Sequence, residues 1–318
     1  MRVTFATEAA PGRPNEDFVA ATPDAAVLLD GAGTPPGSDS GCSHGVAWYS
    51  RTLGSTLLAS MTQSAGTLAE LLAEGIKAVS SLHGGTCDLA HPGSPSATVI
   101  MLRCTNEALE WLVLADSVLL LDVVDAAEPM AVCDDREAQV GALYRAEMDA
   151  LDSGTEEHAS AHRRYVETLR SYRNRDGGFW VAATDPFAAY QALTGSMPAD
   201  QVRAAALLSD GASRLVDRFN LATWRETLEI LDQHGPADLI SRVRAAEHSD
   251  PRGERWPRGK TYDDATAAYV PQRGQPVAMP SSDQLPQRDP SWPSCLMRGS
   301  LHLMIRSGGV AQAKPAPG

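Results

Sequence analysis

No stretch of this chain approaches the roughly 18 uninterrupted apolar residues that a membrane-crossing helix needs, so no membrane partner is expected. The opening residues, MRVTFATEAAPGRPNEDF, turn polar at once and lack the apolar centre of a secretory leader, so a cytoplasmic location is expected. Basic residues are scarce: 27 Lys and Arg against 40 Asp and Glu leave a net charge of −13. Such a balance argues against nucleic acid as partner, because a phosphate backbone needs cations on the protein. The five cysteines, Cys42, Cys87, Cys104, Cys133 and Cys295, are odd in number and contain no Cys-x-x-Cys. Neither a disulfide framework nor a zinc knuckle is therefore expected, and the thiols are read as reduced, several of them packed as small hydrophobes. No Gly-x-Ser-x-Gly elbow is present, which removes the usual serine hydrolases.

What is there is a folding sequence. Hydrophobic residues make up 43% and charged residues 21% of 318 residues, enough for one large domain. VTFA, DFVAA and AAVLLDG have the look of short strands separated by proline turns. GVAWYSRTLGSTLLASM and LAELLAEGIKAVSSLH carry apolar residues at helical spacing, and their apolar faces need a sheet to lie on. SATVIMLRC, ALEWLVLAD and SVLLLDVV follow as strands; the first two are expected to form a hairpin, with Asp116 at the bend between the second and third. Residues 134–175 are charged and helical in period, and AAALLSDG returns to a strand. NLATWRETLEILDQHG and PADLISRVRAAEHSD form a second helix pair, with Asn220 as the expected cap and Pro236 in a first turn. DATAAYV closes the pattern. Residues 272–318 are rich in Pro, Ser, Gln and Gly and are expected to be a disordered tail beyond a single domain spanning 1–271. Antiparallel strands beside helix pairs predict an α+β layered sandwich.

The acids concentrate at strand ends. Glu16 and Asp17 precede a strand, Asp30 and Asp210 end strands, Asp116 sits at a bend, and Asp263 and Asp264 begin the last strand. Carboxylates gathered without cations raise one another's pKa, and a divalent ion relieves that cost. All-oxygen ligands suit Mg²⁺ or Mn²⁺ better than zinc or copper. Gly31 has no Cβ, which frees the backbone to turn after Asp30 and its carbonyl to approach an ion. The two Asp-Gly pairs, in VLLDGAG and LLSDGASR, thus look like corners of a metal site.

Taken in order, RPNEDF, VLLDGAG, PSATVIML, VLADS, LLSDGASR and YDDATAAYV resemble the successive motifs of the metal-dependent protein phosphatases, the PPM or type 2C family, in a divergent bacterial form. The resemblance runs from about Arg13 to Val270. It implies a four-layer αββα sandwich, a central antiparallel β-sandwich flanked by helix pairs. It also implies hydrolysis of phosphoserine and phosphothreonine monoesters in a protein substrate by a water held between two Mn²⁺ or Mg²⁺ ions. By motif position, Asp30 would bridge both ions, Asp210 and Asp263 would complete the first, and Glu16 and the Gly31 carbonyl would serve the second. Asp17 would hold metal-bound waters, Asp116 would take a possible third ion, and Arg13 would clamp the phosphate with its guanidinium fork.

Several positions depart from that pattern. Arg13 lies one residue nearer the acidic pair than the family's arginine, whose place holds Gly12. Ala115 and Val118 replace a usual Gly and Arg, and Asp264 stands where Asn is common. Residues 134–198 correspond to a variable flap. These departures define a second reading, a phosphatase-like regulatory module that has lost efficient catalysis. Other signals are set aside. GERWPRGKT has the wrong spacing for a nucleotide cradle, although its Lys260 brings positive charge. His158 and His162 in HASAH make an incomplete zinc site, and His44 is weighed as a general acid against a packing role.

Overall fold

The computed structural model describes residues 1–33, 39–105 and 107–271. The tail expected over 272–318 lies outside the described residues, as does part of the Gly/Pro/Ser-rich loop after Asp30. The described chain alternates strands and helices in the expected order. First come β1 (Thr4–Glu8), β2 (Phe18–Ala21), β3 (Ala25–Leu29) and the two-residue β4 (Gly31–Ala32), then α1 (Val46–Gln63) and α2 (Leu68–Leu82). Strands β5 (Ser96–Ala97), β6 (Val99–Cys104), β7 (Ala108–Leu114), β8 (Val118–Val123) and β9 (Met130–Val132) follow. The charged segment carries α3 (Arg136–Ala142), α4 (Ala146–Asp149) and α5 (Glu156–Arg170). It ends in a strand the sequence did not announce, β10 (Leu193–Pro198), before β11 (Val202–Leu208). Helices α6 (Asp210–Asp217), α7 (Trp224–Gln233) and α8 (Pro236–Ser249) and strand β12 (Ala265–Pro271) complete it.

Two five-stranded antiparallel sheets, ordered β1-β12-β11-β8-β9 and β10-β7-β6-β3-β2, stack face to face. The strand period of two sorts their side chains. In β3, Ala26 and Leu28 point between the sheets, whereas Val27 and Leu29 pack outward under Leu53, Leu57 and Leu72 of α1 and α2. In β11, Ala205 and Leu207 face inward, and Ala204, Ala206 and Leu208 lie under Leu228, Leu231 and Val243 of α7 and α8. Strands covered on both faces must be apolar throughout, which explains why AAVLL and AAALL show little polar alternation. Helix pair, sheet, sheet and helix group make the four layers the motifs implied.

Local chemistry sets the helix starts. Thr67 and Glu70 form a reciprocal capping box at α2, and Thr223 and Glu226 do the same at α7. The α7 cap is thus Thr223 and not Asn220, which takes a left-handed φ of 50° just after α6. Asparagine tolerates that backbone, so the residue ends one helix instead of starting the next. A second correction concerns Asp116. Strands β6 and β7 do form the expected hairpin, but β7 and β8 belong to different sheets. Residues 115–117 therefore carry the chain across the sandwich, with Ala115 at a positive φ of 68°.

Candidate active site

The crossing at 115–117 and the ends of β3, β11 and β12 meet at one edge of the stacked sheets. Backbone contacts fix each acid there. The Asp30 N–H donates to Thr98 Oγ1 at 3.2 Å, and the Thr98 N–H donates to the Asp30 carbonyl at 2.9 Å. Thr98 Oγ1 also meets Ser117 Oγ at 2.6 Å, which links the two sheets beside Asp116. Asp210 opens α6, and its N–H donates to Asp30 Oδ2 at 3.4 Å. Behind it, Ser209 and Thr266 exchange two hydrogen bonds of 2.9 Å that hold the β11 end against β12.

The glycines of both Asp-Gly pairs are required by close approach. A Cβ on Gly31 would stand 2.5 Å from the Glu16 carbonyl oxygen, and one on Gly211 would stand 1.9 Å from that of Asp264. Neither glycine takes a positive φ. Their role is therefore to let the segments bearing Glu16 and Asp264 lie directly against the corners that present Asp30 and Asp210. Asp264 has a structural task as well. Its Oδ1 accepts from the Ala10 N–H and its Oδ2 from the Glu16 N–H, both at 2.7 Å. It anchors the loop that carries Arg13, Glu16 and Asp17, with both oxygens engaged by backbone.

Electrostatics mark the cleft. Asp17 is buried, and neither of its carboxylate oxygens has a hydrogen-bond partner among the described residues. Burial, reinforced by Asp210 and Asp264, pushes its carboxyl up to about 7. The hydroxyls of Thr266 and Ser209 lie near enough to offset part of this, without a hydrogen bond of ordinary geometry. Burial together with the charges of Asp17, Asp210 and Asp263 raises Asp30 well above the usual carboxylate range. Glu16 is raised by burial and relieved in part by Arg13 and Lys260. Asp116 is raised by burial and then by Glu137 and Asp210. Glu137, from α3, is itself pushed up to about 7 by burial and Asp210. No motif pointed to Glu137; it enters the cleft from the variable segment.

Asp263 differs from the rest. Its Oδ1 accepts from Lys260 Nζ and its Oδ2 from Arg214, both at 2.8 Å. Burial works against its charge, yet these two cations hold its pKa below the ordinary value. Lys260 in turn is held above the usual lysine range by Asp263, Asp210 and Asp30, against the effect of burial. The structure thus brings Glu16, Asp17, Asp30, Asp116, Asp210 and Asp263 to one cleft as a ring of charges. No three of these carboxylates close to within 4.8 Å of one another. Arg13 lies at the exposed rim, with no side-chain hydrogen bond or ion pair among the described residues, and its charge acts on Glu16.

His44 is not in this cleft. Its Nδ1 lies 3.3 Å from Cys87 Sγ and its ring stacks on Trp48, so a general-acid role has no support from its position. His158 is buried with Nε2 at 3.1 Å from the Arg258 carbonyl, and the parallel ring of His162 lies 6.5 Å away. The cysteines are less inert than their spacing suggested: Cys42, Cys87 and Cys104 are only half-buried and Cys133 is exposed.

The donor set fits hard divalent cations. It is built of oxygen, it carries more negative charge than Lys260 and Arg214 cancel, and it contains a buried carboxylate with both oxygens unpartnered. Among the described residues, no helix is long and apolar enough to cross a membrane.

A family model described as Protein phosphatase 2C matches residues 7–243. Among solved structures, a bacterial serine phosphatase superimposes with a TM-score of 0.53 at 14% identity, covering 87% of this chain and 100% of that one. The serine/threonine phosphatase Stp1 from Staphylococcus aureus gives a TM-score of 0.51 at 14% identity, over 86% of this chain and 95% of its own. PppA from Pseudomonas aeruginosa gives 0.50 at 16% identity, over 85% and 96%. At these identities the structural likeness establishes the fold. By sequence, no curated protein matches the chain.

Proposed function

Because the chain belongs to the protein phosphatase 2C family, we propose that it is a metal-dependent hydrolase of phosphoserine and phosphothreonine monoesters in proteins. The observation that carries this reading is the unpartnered buried carboxylate of Asp17, set between Asp30 and Asp210 in a ring of acids. Asp30, Asp210 and Asp263 would hold one Mn²⁺ or Mg²⁺, and Asp30, Glu16 and the Gly31 carbonyl a second. Asp116 with Asp210 would hold a weaker third, to which Glu137 adds charge. Two such ions, when bound, lower the pKa of a shared water and neutralise charge on the phosphoryl oxygens.

The chain's own residues supply the remainder. Asp17, whose carboxyl stands at about 7 before any ion binds, orients water in the cleft. Arg13, with no ion pair among the described residues, stands at the rim and grips two phosphate oxygens; Lys260 adds a second positive charge near Glu16. Thr98 and Asp264 hold the backbones that present Asp30 and Glu16. No side chain needs to be phosphorylated in turn. The domain over 1–271 carries all of these groups, and the protein substrate, a cytoplasmic site of action and the absence of a nucleic-acid partner belong to the same proposal.

Turnover of a phosphothreonine peptide and of an aryl phosphate with Mn²⁺, lost in EDTA and in Asp210→Ala, is the expected result. One observation favours the second reading, a module that binds without turning over: Lys260 engages an oxygen of Asp263 that a metal would need. Calorimetric metal binding by the wild-type chain without turnover of either substrate would establish that reading in place of the first.

Two further outcomes follow from the charges. Lys260→Met should tighten Mn²⁺ binding about tenfold, since an ammonium 2.8 Å from Asp263 competes with the ion. Isothermal titration calorimetry reads this directly, and unchanged affinity contradicts it. Metal binding should also weaken as pH falls. Asp17 at about 7, and Asp30 raised well above the usual carboxylate range, must lose their protons to face a cation, so Mn²⁺ affinity falls by about tenfold or more per pH unit below 7. A flat profile between pH 6 and about 8 would contradict metal binding by these raised carboxyls.

A further inference from the structure

A second cluster lies apart from the acids, at the end of the α1–α2 helix pair where α1 begins and α2 stops. Cys42 and His44 sit in the segment before α1, His83 caps the end of α2, and Cys87 follows in the next turn. The sequence separates Cys42 from Cys87 by two helices, but their antiparallel packing returns the chain to its starting point. Cys42 Sγ is 3.5 Å from Cys87 Sγ, 3.6 Å from His83 Nδ1 and 3.9 Å from His44 Nδ1; His44 Nδ1 is 3.3 Å from Cys87 Sγ. Among the described residues this is the only set of three or more His, Cys, Asp or Glu groups whose ligand atoms all lie within 4.8 Å of one another.

These separations have a chemical meaning. A tetrahedral zinc with bonds of about 2.3 Å to sulfur and 2.0–2.1 Å to nitrogen has ligand–ligand edges of about 3.3–3.8 Å. The four separations above span 3.3 to 3.9 Å. A disulfide accounts for them poorly, because 3.5 Å between sulfurs is far beyond the bonded distance of about 2.05 Å, and it gives no role to two imidazole nitrogens facing the same point. Burial pushes the Cys42 thiol up, and the N–H groups of Gly45 and His44 offset part of this; His83 and the Ser43 N–H draw the Cys87 thiol down to about 5. Trp48 packs against both imidazoles, with ring centroids 4.3 Å from His44 and 4.8 Å from His83, which fixes their planes.

We propose that Cys42, His44, His83 and Cys87 form a closed zinc site that clips the start of α1 to the end of α2. Two thiolates and two imidazoles select a borderline-soft ion and reject the Mg²⁺ or Mn²⁺ that suits the acidic cleft. Four protein ligands leave no open position, so the ion is structural. Its place gives that structure a purpose. Residues 39–45 lead into α1, whose first residue Val46 lies against the Gly31 corner, and the clip holds them to the end of the helix pair. The Gly41 carbonyl, which accepts from the Asp88 N–H at 2.8 Å, reinforces the same junction.

The test is metal analysis of the full chain, purified without immobilised metal and dialysed against excess Mg²⁺. One zinc per chain is expected, retained in Asp210→Ala and lost to background in the Cys42→Ser, Cys87→Ser double variant and in His83→Asn. Because those variants can lose their fold with their metal, the wild-type chain carries a second arm. Reconstituted with Co²⁺, it should show the intense visible bands of a tetrahedral ion together with thiolate-to-cobalt charge transfer. Substoichiometric zinc with a weak, octahedral cobalt spectrum overturns the proposal. So does a chain whose mass is lower by two hydrogens, with Cys42 and Cys87 unreactive to thiol reagents, and so does zinc that persists in the double variant.

Discussion

Replacing Asp30 with asparagine should abolish metal-dependent turnover while making the metal-free chain more resistant to heat at neutral pH. The two effects have one cause. Asp30 lies where burial and the charges of Asp17, Asp210 and Asp263 all disfavour its ionised form. A carboxyl whose folded pKa is raised contributes stability that is complete below its ordinary pKa and lost as pH rises through the raised value. At neutral pH the clustered acids therefore work against folding, and an amide of the same shape removes part of that cost. It can still accept the Asp210 N–H and leave the Thr98 contacts in place. The negative charge proposed to contact both ions, however, is gone. Its loss should lower turnover by about 10³-fold or more, equivalent to some 4 kcal/mol of transition-state stabilisation. Calorimetric melting in EDTA and an aryl phosphate assay with Mn²⁺ read the two halves separately. A lower melting temperature, or activity within tenfold of wild type, contradicts the account.

The second large effect lies behind the cleft. Glu247 is fully buried, and its two oxygens are each 2.7 Å from a guanidinium, Arg214 on one side and Arg244 on the other. Arg214 continues to Asp263, and Arg244 reaches back to Glu8 on β1. Alternating charges thus run from the sheet edge to Asp263 in the cleft. Truncating the middle member, Glu247→Ala, leaves each of two buried guanidiniums with a single remaining carboxylate, Asp263 or Glu8, and should cost about 3 kcal/mol, lowering the melting midpoint by about 10 °C. Replacing the partner instead, by Arg214→Met, should cost comparably and also free an oxygen of Asp263. Urea unfolding measures both. A change below about 1 kcal/mol for Glu247→Ala would show that the relay does not hold this face together.

Much of this architecture was legible in the chain because its signals are local. Two apolar runs that end in Asp-Gly announce strands that stop at an acid, and the order of six motifs pointed to the family that the chain belongs to. The reason for the glycines was not legible. It depends on the Glu16 and Asp264 carbonyls, which arrive from elsewhere in the sequence. Lys260 is legible in the sequence only as a positive charge, and the fold turns its ammonium onto Asp263. Glu137 and the Glu247 relay carry no motif and gain their meaning from partners many residues away. Strand β10, LTGSMP, lacks apolar alternation; it forms because Gly195 fits closely over Trp111 at the edge beside β7. The zinc ligands were hidden in the same way, since their pairing spans a helical hairpin.

The central claim is that the acids at the sheet edge gather divalent ions. Crystals grown with Mn²⁺ and measured at the manganese absorption edge test it most directly. The account predicts anomalous peaks in contact with Asp30 and Asp210, with Lys260 displaced from Asp263. Density that leaves the Lys260–Asp263 pair intact, with no manganese touching Asp30, would contradict it.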